Sequence, residues 1–155
     1  MSDQGPPAVV AGEKETLLAF MRYLREAIIR KVEGLPDDIA RKPAVPSGTS
    51  PLGILKHLTG AELVWVEWAF LGRDPFPELG MEVSETDTVA GCVAAYRATA
   101  TRADAIWATL DDLDAVSARE DRTLRWILVH TVEELARHAG HLDIMREMID
   151  GSVGR

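Results

Sequence analysis

The residues of this chain best suited to do chemistry are its histidines and one glutamate. His57 lies in one apolar, helix-patterned stretch. His130, His138 and His141 lie in another, TLRWILVHTVEELARHAGHLDIMREMIDG, with Glu134 one turn before His138. Residues at i and i+4 of a helix point the same way, so Glu134 and His138 can share one cation. An ionised glutamate half-hidden among helices is costly unless something positive pairs with it, and a metal ion would do so. His57 supplies a third donor from a separate helix. Two imidazoles and a carboxylate form a known catalytic-zinc ligand set that leaves a position open to water or substrate. The spacing is E-x-x-x-H, so the H-E-x-x-H protease motif is absent. The paired Glu-x-x-His motifs of di-iron bundles are also absent, and Glu62 and Glu67 do not complete them, so one metal is expected rather than two. His130, at i−4 from Glu134, could replace His57 in a single-helix site or line a pocket. His141, at i+3 from His138, could be a supporting group or a bystander.

Four helices must position these groups. The first is expected over residues 13–34, with Leu17, Met21, Leu24 and Ile28 as its apolar stripe, Gly34 as C-cap and Pro36 as a stop. The second spans 50–71, with Ser50 as N-cap, Pro51 at the first position and a core stripe of Ile54, Leu58, Ala61, Trp65 and Trp68. His57 leads a neighbouring row in which Ala61 and Val64 would leave space above the imidazole. The third spans 86–110, with a seam of Val89, Val93, Tyr96, Ala100, Ala103, Trp107 and Leu110. The fourth spans 123–151, where Leu124, Leu128, Thr131, Leu135, His138, Leu142, Met145 and Ile149 recur at alternating spacings of four and three; Asp121 is a candidate cap. Residues 1–12 read as a loose arm and 13–151 as one domain. The segment 35–49 is too punctuated by proline and glycine for a helix, and 73–85 is a second loop. The fold class is therefore all-α, a four-helix bundle with long crossover connections.

Composition narrows the function classes. The chain has 155 residues, 46% hydrophobic and 27% charged, as a folded globular unit should. Its net charge of −8 argues against nucleic acid or an anionic membrane surface as the main partner. No apolar run reaches the ~20 residues of a membrane span. Cys92 is the only cysteine, so no intrachain disulfide can form. The first residues lack the pattern of a signal peptide. A cytoplasmic protein is the expectation.

The runs SPLGILKHLTGAELVWVEWAFLGR and LRWILVHTVEELARHAGHLDIMREMIDG resemble the DinB-like superfamily. They are closest to the branch similar to the N-terminal domain of mycothiol-dependent maleylpyruvate isomerase. The resemblance runs from the first helix to Gly151. It implies a four-helix bundle holding one divalent metal, with His57, Glu134 and His138 as ligands, and zinc favoured over nickel. It also implies a thiol S-transferase that activates a mycothiol-like thiol for attack on an electrophile, working as a homodimer. Isomerase activity is not carried over, because the isomerase has a further C-terminal domain that this sequence lacks.

Three functions compete at this point. The first is that metal-dependent thiol transferase. The second is a non-catalytic metal-binding or stress-response bundle. The third is a metal-free interaction protein, in which His57 and His138 are ordinary core residues and Trp65, Trp68, Trp107 and Trp126 serve packing or a dimer face. No residue beyond the metal set is assigned a catalytic role.

Overall fold

The computed structural model describes residues 5–154; the first four residues of the expected arm lie outside them. Helix α1 (Glu13–Glu33) starts after Gly12 with Glu13 and Glu15 in its first turn and ends at Gly34 with Arg30 and Lys31 in its last. Each charge opposes the helix dipole at its own end. Its buried side is broader than a single stripe: Leu18, Met21, Arg25, Ile28, Ile29 and Val32 are buried, whereas Leu17 and Leu24 are half-covered. The width reflects two neighbours, since α1 packs along both α5 and α4.

The connection after α1 contains a short helix, α2 (Asp37–Arg41), where no helix was expected. Pro36 presets the backbone at its start, Asp37 and Asp38 occupy its first turn, and Ala40 is fully buried beneath it. The Asp37 carboxylate accepts the Val89 amide at 2.8 Å, and Arg41 donates to the Asp87 carbonyl at 2.8 Å. The turn is thus pinned to the start of a later helix. Tertiary contacts stabilise a piece too short to form alone.

Helix α3 (Pro51–Leu63) begins as expected: the Ser50 hydroxyl accepts from the Gly53 amide at 3.0 Å and Pro51 takes the first position. It then changes pitch and continues as a π-helical segment (Val64–Phe70). A π-turn takes in an extra residue and rotates every side chain after it. Val64, Val66 and Ala69 are the buried residues of this segment, and Trp65 and Trp68, expected in the core, are only half-covered.

Helix α4 (Val89–Ala108) is capped by the Thr88 hydroxyl, which accepts from the Gly91 amide at 3.1 Å, so it starts three residues later than its pattern suggested. Val89, Val93, Tyr96, Ala103 and Trp107 form its buried seam, while Ala100 and Leu110 are half-covered. Helix α5 (Leu124–Asp150) is capped by the Thr123 hydroxyl accepting from the Trp126 amide at 3.2 Å. Asp121 is not the cap; it sits at φ 46° in the turn before. Gly151 ends α5 in the left-handed conformation at φ 75°. Every residue of the expected α5 seam is buried except Ile149, which is half-covered.

Helices α1 and α5 pack along each other, as do α3 and α4, while the consecutive α4 and α5 scarcely touch. Among the described residues no helix is long and apolar enough to cross a membrane.

One buried network went unread in the sequence. Arg25 forks onto both oxygens of Glu62, donating at 2.9 Å to Oε1, and donates to Asp104 at 2.6 Å; the Tyr96 hydroxyl donates to Glu62 Oε1 at 2.9 Å. Arg25, Glu62 and Tyr96 are all buried. Burial works against the Arg25 charge, but Glu62 and Asp104 outweigh it and hold the guanidinium charged. The available signal was Arg25 itself, a charge set between Met21 and Ile28 on the buried side of α1.

Candidate metal centre

His57 projects from the middle of α3 with a glycine on either side, Gly53 one turn before and Gly60 one turn after. These glycines let the 71–88 connection lie flat on the helix. A Cβ on Gly60 would fall 1.8 Å from the Glu78 carbonyl oxygen, and one on Gly53 would fall 2.6 Å from that of Met81. Between those two contacts the Leu79 carbonyl reaches His57 Nδ1 at 2.8 Å. The space expected above the imidazole is thus filled by backbone. A carbonyl can only accept, so His57 Nδ1 carries a proton and Nε2 is the nitrogen turned inward.

Across the bundle, α5 presents Glu134 and His138 one turn apart on the side facing α3. Glu134 Oε1 lies 3.1 Å from His57 Nε2 and 3.2 Å from His138 Nε2. The two rings have centroids 5.2 Å apart, tilted by 60°. One donor atom from each of His57, Glu134 and His138 falls within 4.8 Å of the others. His138 Nδ1 faces away from the cluster, 3.4 Å from His141 Nδ1, so His141 stands behind His138 much as the Leu79 carbonyl stands behind His57.

The electrostatics suit a cation. Burial pushes the Glu134 carboxyl up, but the His57 ring and the charges of His138, His57 and His130 outweigh it, leaving Glu134 below the ordinary glutamate value and ionised at neutral pH. Burial pulls His138 down, and His57 and His141 add to that. The opposing pull of Glu134 does not cancel it, so His138 is neutral at pH 7. Two imidazole nitrogens converging on one carboxylate oxygen call for positive charge among them, as a proton or a metal ion. Two imidazole nitrogens and one carboxylate oxygen fit a divalent transition metal, and each imidazole has a partner at its outer nitrogen.

His130 stands one turn before Glu134 on α5. Its Nδ1 lies 3.3 Å from Glu133 Oε2. Its ring stacks on Trp126, with centroids 4.9 Å apart and 23° between planes, and meets Trp65 edge-on at 4.9 Å. Trp65, half-covered and packed against the core, reaches this stack with its exposed edge. The residues that sequence reasoning missed are Gly53, Gly60 and Leu79. The two glycines one turn either side of His57 were the signal, because paired glycines on one helix face invite close backbone approach.

The mycothiol-S-transferase family model matches residues 16–151, nearly the whole helical part of the chain. The chain belongs to that family. No curated protein matches it.

Proposed function

We propose that this chain is a divalent-metal-dependent S-transferase, joining a low-molecular-weight thiol of the mycothiol type to an electrophilic acceptor. In this reading His57, Glu134 and His138 hold the ion. The observation that carries it is the convergence of their three donor atoms, with His57 turned inward by the Leu79 carbonyl.

When bound, a divalent ion supplies acidity toward a thiol, which it stabilises as thiolate at neutral pH; zinc suits mixed nitrogen, oxygen and sulfur donors, and nickel is the alternative. The chain's residues set how strongly that works. Glu134 brings one negative charge, so the loaded centre is less positive than three imidazoles would leave it and pulls less on the thiol. The Leu79 carbonyl and His141 hold the two rings in place. The chain's own thiol is not the nucleophile. Burial, with Asp87 nearby, pushes Cys92 above the ordinary cysteine value, so it stays protonated at neutral pH. The attacking sulfur therefore comes from a co-substrate. A C–S bond forms on the acceptor, the leaving group departs with its electron pair, and the thiol proton passes to solvent. The same reading makes the protein a cytoplasmic homodimer.

Metal content by mass spectrometry, on protein purified without added metal, tests this beside thiol conjugation to a model electrophile. The wild type should carry about one zinc or nickel per chain, and His138→Ala should lose both the metal and the conjugation. Full metal occupancy in His138→Ala would sink the proposal. Metal bound without turnover by any thiol would favour a non-catalytic metal-binding or stress-response bundle.

A further inference from the structure

We propose that His130, Glu133 and Glu134 form a second divalent-cation site, which shares the Glu134 carboxylate with the first. The inference goes beyond the function argued above and depends on it only through that shared residue.

The three residues stand at i, i+3 and i+4 of α5, on one face of the helix. One donor atom from each lies within 4.8 Å of the other two. His57 and His138 both address Oε1 of Glu134, and a carboxylate has a second oxygen to offer. The imidazole of His130 is also held unusually firmly for a half-exposed side chain. Trp126 stacks on it, Trp65 abuts it edge-on, and the Arg122 guanidinium lies 5.0 Å from the Trp126 ring centre. Trp126 is itself 41% exposed, so its stacking on His130 hides little apolar surface. What it does achieve is a fixed ring orientation, with Nδ1 of His130 toward Glu133. A ring locked in that way suits a metal ligand, which must hold one geometry.

The charge at this spot is met at present by Arg137, whose guanidinium lies 2.5 Å from Glu133 Oε1. Both side chains are exposed, and exposed ion pairs are weak, so a divalent ion can displace the arginine. The donors are one nitrogen and two carboxylates, one of them solvent-exposed. The second ion is therefore held more weakly than the first and tolerates harder cations. Two cations sharing a carboxylate form a clamp that could hold an acceptor's leaving group beside the thiol.

The test is a zinc titration of the chelator-stripped full chain against a chromophoric chelator. Wild type is run beside His130→Ala, Glu133→Gln and His138→Ala, with circular dichroism confirming that each variant is folded. The wild type should take two equivalents, the second more weakly, and His130→Ala and Glu133→Gln should each take one. Glu133→Gln changes an exposed side chain and keeps its shape, so it guards against a folding artefact. A single wild-type equivalent, lost in His138→Ala, would overturn the second site and leave the first standing. A single equivalent lost in His130→Ala and Glu133→Gln but kept in His138→Ala would support this site and overturn the first. No uptake at all would overturn both.

Discussion

Gly60→Ala is the substitution that most directly questions how the metal centre is built, because it touches none of the three donors. Its Cβ would sit 1.8 Å from the Glu78 carbonyl oxygen, against 3.4 Å for ordinary contact, so the 78–81 backbone must retreat by about 1.6 Å. The Leu79 carbonyl, at 2.8 Å from His57 Nδ1, moves with it and leaves hydrogen-bonding range. His57 then loses the partner that fixes its tautomer and orientation. Loss of such a partner weakens metal binding by roughly 10- to 100-fold. Stability should change less. Displacing the loop costs about 1–3 kcal/mol, and the better helix propensity of alanine returns up to ~1 kcal/mol. Gly140→Ala is the matched control. It lies on α5, nothing stands within 4 Å of its would-be Cβ, and it should stabilise the protein by up to ~1 kcal/mol with zinc affinity unchanged. Zinc affinity by chelator competition, with thermal melts alongside, measures both effects. If Gly60→Ala binds zinc as tightly as wild type, the Leu79 carbonyl does not orient His57 for the metal.

Other expectations concern the buried network. Arg25→Ala leaves Glu62 buried without its ion-pair partner and should cost about 3–5 kcal/mol in urea denaturation. Arg25→Met with Glu62→Leu should cost clearly less, because no lone charge remains; equal losses in the two proteins would contradict this account. Tyr96 gives a pH signature. Burial first, then the adjacent Glu62, raises its hydroxyl well above 10.0, so the folded state keeps the proton that the unfolded chain gives up. Its contribution is fully present below pH 10 and is lost as pH rises beyond, at about 1.4 kcal/mol per pH unit. Tyr96→Phe lacks this term, so its stability gap to wild type should narrow from pH 9 to pH 11; parallel curves would refute the assignment.

Much of this architecture is local and so could be read from residue order. The alternating spacing of α5 is set by the helical period, and its seam is buried as the pattern requires. Ser50 and Pro51 start α3 through contacts within one turn. The placing of Glu134 and His138 on a shared face likewise needs only the helix. Other features depend on elements far apart in the chain. The five-residue α2 exists because Asp37 and Arg41 are pinned to residues near the start of α4. The π-helical segment Val64–Phe70, which leaves Trp65 and Trp68 half-covered, is a change of pitch that no local pattern records. Arg25 and Glu62 are separated by 37 residues and meet only in the folded bundle. The same holds for the candidate centre: spacing could propose His57 beside Glu134, 77 residues later, but only the tertiary structure shows them 3.1 Å apart. It also shows a carbonyl laid over two glycines, directing which nitrogen of His57 faces inward. Periodicity carries the content of single helices. The meeting of side chains across helices, and the path of a connection over a helix face, are decided by packing.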